Sequence, residues 1–322
     1  MTGARSTLLG LFLLAVGACA DDPPKALPPA GQLLVYFDTD APLPPAAGEV
    51  LAPGEPAPLF DRLRVEVYRP GETAPCPGCT HEFDVDRALF AGGRASIGIT
   101  PPVSVPGYVV RARLFRAAFV ELGQPRTDAT LETVAALPPI EAEGIVPVTV
   151  LLRTDDVARP VGSLGAPVEP LAGTPPGLVG TWSGAKRTPC NGAPAADEVC
   201  VPGGAFWMGN PLTRNLLAAG DDVVLRLVTL SPFFLDATEV TVPAFRAAGI
   251  AAAGDPMPYH PDDGMPGPRV HCTYRPSPGD SDALPVNCVS WGKAMEYCER
   301  RGATLPSEAQ FQYVASGLAG HL

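Results

Sequence analysis

The stretch PVNCVSWGKAMEYCERRGATLPSEAQFQYVA, residues 285–315, predicts the fold of the C-terminal part of the chain. A first helix is expected to begin after Ser290 and to end at Gly302. A second begins at Ser307, where Gln310 three residues later completes a capping-box pattern. The expected apolar stripes are Trp291, Ala294, Met295 and Cys298 in the first helix and Phe311, Val314, Ala315 and Leu318 in the second. Because such short helices are unstable alone, other parts of the chain must cover these stripes.

Four sequence blocks in the C-terminal part lie in the order that one known family shows. Residues 285–298 match the pattern "PV..VSW..A..YC", and residues 305–315 are close to "LPTEAEWEYAA". Upstream lie VPGGAFWMG at residues 201–209 and SPFFLDATEVT at residues 231–241. The chain therefore resembles the formylglycine-generating-enzyme, or sulfatase-modifying factor, family, and we expect such a domain over residues 201–322.

This resemblance implies a fold and an activity. The fold would be a partial α+β domain that is related to C-type lectins and rich in irregular structure. Active members of the family oxidise a cysteine of sulfatases to formylglycine, with oxygen, copper and a cysteine pair late in the domain. Since the chain ends at Leu322, soon after the last matched block, we expect only the N-terminal half of the domain and no catalytic residue. No metal site is predicted, and copper or calcium would be a cofactor only if the family activity is retained.

Three residues of the matched blocks stand at family-motif positions, namely Glu239, Trp291 and Glu308. The two carboxylates could support a catalytic site or contact calcium, but we favour buried carboxylates that accept hydrogen bonds from loop N–H groups. Gln310 and Gln312 replace glutamates that the family usually has at these positions. The loss of two charges favours a packing role for this block over a catalytic one.

The first 18 residues are typical of an export signal. Arg5 is followed by an apolar run at residues 8–16, and the box VGAC ends at Cys19. This pattern predicts a bacterial lipoprotein signal peptide over residues 1–18, lipidation of Cys19, and a Pro/Ala-rich tether over residues 19–31. An ordinary secretory signal with an incidental cysteine is the alternative. We expect an exported protein of the cell envelope, lipid-anchored in the periplasm or at the outer-membrane surface.

The charge of the chain limits its partners. The formal net charge is −11, and no cluster of Lys or Arg offsets it. Nucleic acids and anionic membrane faces attract basic patches, so neither is expected as a binding surface. The expected partners are an unidentified protein or glycan, together with a membrane that is reached through the lipid anchor.

Seven cysteines follow Cys19, and in an exported protein they are expected to be structural. Nearness in sequence favours three pairs and leaves Cys298 as a buried thiol on its helix, although the sequence does not fix the connectivity. The C-x-x-C motif at residues 76–79 could also hold zinc or act in redox chemistry, but its Pro and Gly indicate a turn and no second ligand pair follows. The favoured pairs are Cys76 with Cys79, Cys190 with Cys200, and Cys272 with Cys288.

The remaining sequence predicts a mixed fold with two main parts. Short alternating stretches over residues 32–155 indicate an all-β, sandwich-like domain similar to the immunoglobulin-like or transthyretin-like spacers of surface proteins. A Pro/Gly-rich linker is expected over residues 156–200, followed by the partial α+β domain. The predicted strands are residues 32–37, 62–68, 94–99, 108–115 and 146–152.

Three functions remain open. The favoured one is a surface-tethered, non-catalytic protein whose family-like domain binds a ligand or partner. The second is a formylglycine-generating oxidase that acts on sulfatase cysteines. The third is a shortened remnant that folds poorly, in which Phe311, Val314 and Leu318 would form an exposed apolar patch.

Overall fold

The computed structural model describes residues 31–209, 225–250 and 272–318 of the chain. The predicted signal peptide, Cys19 and nearly all of the predicted tether lie outside these residues. The described ranges contain four α-helices, α1 (Arg87–Ala91), α2 (Val242–Ala247), α3 (Trp291–Arg300) and α4 (Glu308–Ala315), and several short 3-10 helices. None of the helices in these ranges is long and apolar enough to cross a bilayer. The strands are β1 (Gln32–Thr39), β2 (Arg62–Tyr68), β3 (Thr80–Asp84), β4 (Ser96–Ile99), β5 (Val109–Phe115), β6 (Val120–Glu121), β7 (Gln124–Pro125), β8 (Leu131–Ala136), β9 (Ile145–Leu152), β10 (Leu171–Ala172), β11 (Glu198–Val201), β12 (Gly204–Met208), β13 (Arg226–Leu230) and β14 (Phe233–Asp236).

The N-terminal part is built from two four-stranded sheets around one apolar core. Their strand orders are β10-β9-β1-β4 and β3-β2-β5-β8. In β1, Leu33, Val35 and Phe37 are buried, while Gln32, Leu34 and Tyr36 between them are only half-buried, which is the alternation of a strand with one face on a core. Leu63 and Val65 of β2 enter the same cluster from the other sheet. Together with the C-terminal helices and strand pairs, these sheets give the mixed fold that the sequence predicts.

Two buried aspartates at the end of β1 attach later parts of the chain to this core. Asp38 accepts hydrogen bonds from the backbone N–H groups of Gly177 and Leu178, at 2.8 and 3.1 Å from its Oδ2 atom. Asp40 accepts two hydrogen bonds from Thr154, one from its N–H and one from its hydroxyl, both at 2.7 Å. Carboxylates are buried only where such bonds replace water. The segment around residues 177–182 is therefore packed on the sheets.

The two C-terminal helices begin at the positions that the sequence predicts. The Ser290 hydroxyl accepts from the N–H of Lys293 at the start of α3, and the helix is followed by Gly302 at φ +70°. At the start of α4, Ser307 and Gln310 form both hydrogen bonds of the capping box. These caps satisfy N–H groups that would otherwise lack partners at a helix start.

The apolar stripes of these helices differ from the predicted ones. Trp291 is 71% exposed and Phe311 is 68% exposed, whereas Tyr297 and Tyr313 are buried. Each of these two tyrosine rings meets another aromatic ring, and such pairs stabilise a core beyond the area that they bury. The Tyr313 and Phe206 ring centroids are 5.2 Å apart. The covered face of each helix is thus turned toward its tyrosine.

The exposed patch expected for a poorly folded remnant is smaller than that hypothesis requires. Val314 and Leu318 pack against the cluster that contains Phe206 and Tyr313. Of the three residues named for this patch, Phe311 alone is strongly exposed. Since a covered stripe is the expected result of folding, the arrangement favours a folded domain.

Strand β12 joins the two parts of the molecule, because its successive side chains point to opposite faces. Phe206 points toward α4 and packs on Tyr313. Trp207 points the other way and is buried in the core of the two sheets. Its indole Nε1–H donates a hydrogen bond of 2.8 Å to the carbonyl oxygen of Leu59, and its ring meets Phe119 edge-on at 5.5 Å. The C-terminal part is therefore anchored in the N-terminal core.

Candidate functional site

Three disulfides are present, and they join the cysteine pairs that nearness in sequence favours. They are Cys76–Cys79, Cys190–Cys200 and Cys272–Cys288. The first lies in a turn, where the N–H of Cys79 donates to the carbonyl oxygen of Cys76 at 2.9 Å and Gly78 has φ +75°. This is the turn that Pro77 and Gly78 predict.

Cys298 on α3 is the one free thiol among the described residues. It is half-buried, and burial raises the pKa of its thiol, with a further increase from the nearby carboxylate of Asp236. A raised pKa means that less thiolate is present near neutral pH, and the thiolate is the nucleophile and the metal ligand. Both effects disfavour the thiolate form of Cys298.

The thiol borders a small apolar cavity of about 200 Å³ between α2 and α3. Tyr297 and Phe245, whose rings are stacked with centroids 5.8 Å apart, form part of its wall. The cavity resembles a gap in a hydrophobic core more than a polar reaction site, because few polar groups converge on it. The complete lining is Val240, Phe245, Val286, Val289, Ala294, Tyr297, Cys298 and Leu305.

The two carboxylates at family-motif positions are exposed, and the expectation that they are buried is wrong. Glu239 lies between β14 and α2, and Glu308 is the first residue of α4. Neither makes an ion pair with another residue of the described ranges. A carboxylate in the first turn of a helix is stabilised there by the N–H groups and the helix dipole, which accounts for Glu308 without a ligand.

An ion-pair cluster that the sequence analysis missed fixes the end of α3. Arg301 contacts Asp236 of β14 at 2.7 Å and Asp197, just before β11, at 3.0 Å. Its guanidinium also lies 5.5 Å from the centre of the Tyr297 ring. The hydrogen bonds with Asp236 raise the pKa of Arg301 further above its ordinary value. The cluster joins residues distant in sequence, so no local pattern predicts it.

The residues in the described ranges do not fit the copper that the family resemblance implies. A dithiolate site needs two free cysteines, and the described part of the chain offers one. No group of three or more His, Cys, Asp or Glu side chains within those ranges is arranged to hold a metal ion.

The exposed aromatic residues are the feature of the C-terminal part that is suited to binding. Trp291 begins α3 directly after its N-cap, and Phe311 lies in the first turns of α4. Both are far more exposed than the large apolar residues around them. Exposed aromatic rings on rigid, capped helices are typical of contact surfaces.

Comparison with known proteins identifies the C-terminal part. The family model for the sulfatase-modifying factor enzyme 1-like domain matches residues 185–321. A formylglycine-generating enzyme from Streptomyces coelicolor is 32% identical over 152 residues, which cover 38% of this chain and 48% of that enzyme. The chain thus spans about half the length of this curated relative.

The match begins upstream of Val201, in a segment that the structure ties to the domain. Arg187 donates a hydrogen bond of 2.7 Å to the carbonyl oxygen of Leu318, just after α4, and the disulfide of Cys190 with Cys200 joins the segment to β11. Residues 185–321 of the chain therefore carry a domain similar to the sulfatase-modifying factor enzyme 1-like domain, as the resemblance in the sequence predicts.

Proposed function

We propose that this protein is an exported lipoprotein of the cell envelope whose sulfatase-modifying-factor-like domain binds a protein or glycan partner and does not catalyse formylglycine formation. The observation that carries this proposal is the exposure of Trp291 and Phe311 on two capped helices. The three disulfides support export, since such bonds persist mainly in oxidising compartments.

The two aromatic side chains have the properties of anchor residues. Tryptophan is enriched among the residues that dominate binding energies, because a large rigid ring buries much surface at a small loss of conformational entropy. The Ser290 and Ser307 caps hold the helix starts in place, so a partner would meet rings whose backbone is already ordered. Little ordering would then have to accompany binding.

The state of the cysteines supports binding over catalysis. The family chemistry uses a pair of thiols, and six of the seven cysteines in the described residues are joined in disulfides. The remaining thiol, Cys298, has a raised pKa and borders an apolar cavity. The described residues thus hold one poorly ionised thiol where a dithiol mechanism requires two.

A formylglycine-generating oxidase is the second candidate function. It is favoured by the identity of 32% to an enzyme named for this activity. That activity is a property of the relative, and an assay of this chain is needed to test whether this chain shares it.

The first experiment separates these two functions. The purified protein, loaded with copper under oxygen, is incubated with a Cys-x-Pro-x-Arg peptide, and formylglycine is measured by mass spectrometry. We expect no turnover from a protein that shows a cooperative thermal transition. Turnover that is lost in Cys298→Ser would refute the binding proposal and assign catalysis to this thiol together with a reduced disulfide.

The second experiment tests binding directly. The protein is applied to a glycan array and to a display library of envelope proteins, alongside the double variant Trp291→Ala/Phe311→Ala. We expect at least one partner whose affinity falls about tenfold or more in the double variant. Leu122→Ala is the control, because it removes an even more exposed apolar side chain from the N-terminal part. Equal binding by all three proteins would contradict the proposed surface.

A further inference from the structure

The two sheets of the N-terminal part leave one side of their shared core partly uncovered. Strands β3 and β4 are the edge strands there, each paired on one side only within its sheet. In β3, His81 lies opposite Val65 and Phe83 lies opposite Leu63. Directly opposed residues share a face of the sheet, so both rings project from β3 on the core side. Yet His81 is exposed and Phe83 is 37% exposed.

The other edge strand shows the same incomplete burial. Ile97 and Ile99 of β4 lie opposite Val35 and Leu33 of β1, and both isoleucines are only half-buried on the core side. Between the two edge strands lies a groove of about 530 Å³, which we call the edge groove. Its lining is Val67, Arg69, Cys76, Cys79, His81, Ile97, Gly98, Ile99, Thr100, Pro101, Pro102 and Tyr108.

Strand β4 is only four residues long, but it carries none of the side chains that usually block a sheet edge. Proteins protect edge strands with charged residues, proline or bulges, and Ser-Ile-Gly-Ile carries none of these. Gly98, at its centre, is exposed and has no side chain that would hinder another backbone. The edge β3 is different, because Glu82 and Asp84 form ion pairs with Arg64 and Arg62 on the outer face of its sheet.

We propose that the edge groove binds an extended peptide segment of a partner protein, which adds a strand to β4. The backbone of the segment would pair with the free edge of β4, which is the mode called β-augmentation. Since side chains alternate along a strand, every second residue of the segment would enter the groove and cover Ile97 and Ile99.

The groove also defines the chemistry of the segment. Side chains that enter it beside the isoleucines also meet the Tyr108 ring and the disulfide of Cys76 with Cys79, so apolar side chains are favoured at those positions, while His81 and Thr100 add polar groups to the lining. Arg69 at the rim is exposed and makes no ion pair with another residue of the described ranges. A carboxylate next to the apolar positions would therefore pair with a free cation. The predicted ligand is an extended segment with alternating apolar residues and one nearby Asp or Glu.

The test is a selection from a phage-displayed library of random dodecapeptides on the purified protein. We expect enriched peptides with apolar residues at alternate positions and an acidic residue. The binding of the best peptide should be weakened about tenfold or more by Ile99→Lys, since this lysine places a charge in the apolar groove. Val120→Lys is the control, because it makes a similar change at an exposed apolar residue of β6. It should alter the affinity less than about twofold.

A second measurement does not depend on the folding of a variant. Hydrogen exchange of the unmodified protein is compared with and without the selected peptide, and exchange in β4 should slow about tenfold as its outward N–H groups become bonded. Failure to enrich any peptide, or slowing confined to other strands, would overturn the proposal. Light scattering that shows a dimer dissociated by Ile99→Lys would also overturn it, and would assign the edge groove to a second copy of this chain.

Discussion

Replacing Trp207 by alanine should lower the free energy of unfolding of the protein by about 3–5 kcal/mol, the range seen for large aromatic residues removed from a core. The side chain is 1% exposed and lies in the core of the N-terminal sheets, although β12 belongs to the C-terminal domain. Its loss should therefore weaken both parts of the molecule together.

Three contacts of the Trp207 ring contribute to this loss of unfolding free energy. The Trp207 ring meets Phe60 and Phe119 edge-on, at 5.8 and 5.5 Å between centroids, and each such pair contributes about 0.5–1.5 kcal/mol beyond area burial. The Nε1–H bond to the carbonyl oxygen of Leu59 is the polar part. Trp207→Phe retains most of the buried ring but leaves that carbonyl without its donor, and should cost about 1–3 kcal/mol.

The assay is urea denaturation followed by far-UV circular dichroism, with limited proteolysis of the N-terminal sheets on the same samples. Trp291→Ala is the matched control, since it removes the same side chain from an exposed position in the same domain. It should change the free energy of unfolding by less than about 0.5 kcal/mol. The reasoning is refuted if Trp207→Ala is as mild as this control, or if proteolysis of the N-terminal sheets is unchanged by it.

Two substitutions and one thiol-alkylation measurement test other features of the structure. Gly292 in α3 has open space where a Cβ would lie, so Gly292→Ala should raise the free energy of unfolding by about 0.5–1 kcal/mol, and an unchanged thermal midpoint would contradict this. The hydrogen bonds from Arg246 hold the pKa of Asp282 below its ordinary value, so this carboxylate stabilises the fold above the ordinary carboxyl pKa and ceases to do so as pH falls through the lowered pKa. Asp282→Asn should therefore make unfolding less dependent on pH in the acid range, as measured by denaturation at a series of pH values. The raised pKa of Cys298, caused by burial and by Asp236, predicts slower alkylation by iodoacetamide in the folded protein than in urea at the same pH; equal rates would argue against a buried thiol.

Local patterns in the sequence predict several elements of the fold well. Strand β2 occupies residues 62–68 as its alternation indicates, and both C-terminal helices begin at their capping serines. These features depend on residues close in the chain, which is why they can be recognised without knowledge of the rest. Strand β3 was missed because all five of its residues are exposed and it shows no buried face.

The side chains that build the candidate site could be predicted only in part. Trp291 was expected in the core because it falls on the apolar stripe predicted for α3, but the partner of α3 is the Phe245 ring, which meets Tyr297 instead. Which of two aromatic residues faces the core depends on elements distant in sequence. The ion pairs of Arg301 were missed for the same reason, since they connect α3 to β14 and to the start of β11.

The alternation of Phe206 and Trp207 along β12 has a consequence for how such proteins evolve. A gene segment that encodes residues 185–318 alone would leave Trp207 without the contacts that Leu59 and Phe119 give it here. A new host protein would need residues that accept the indole hydrogen bond and contact the Trp207 ring, as Leu59 and Phe119 do here. Substitutions at Trp207 and at the residues that contact it should therefore have effects on stability that depend on one another.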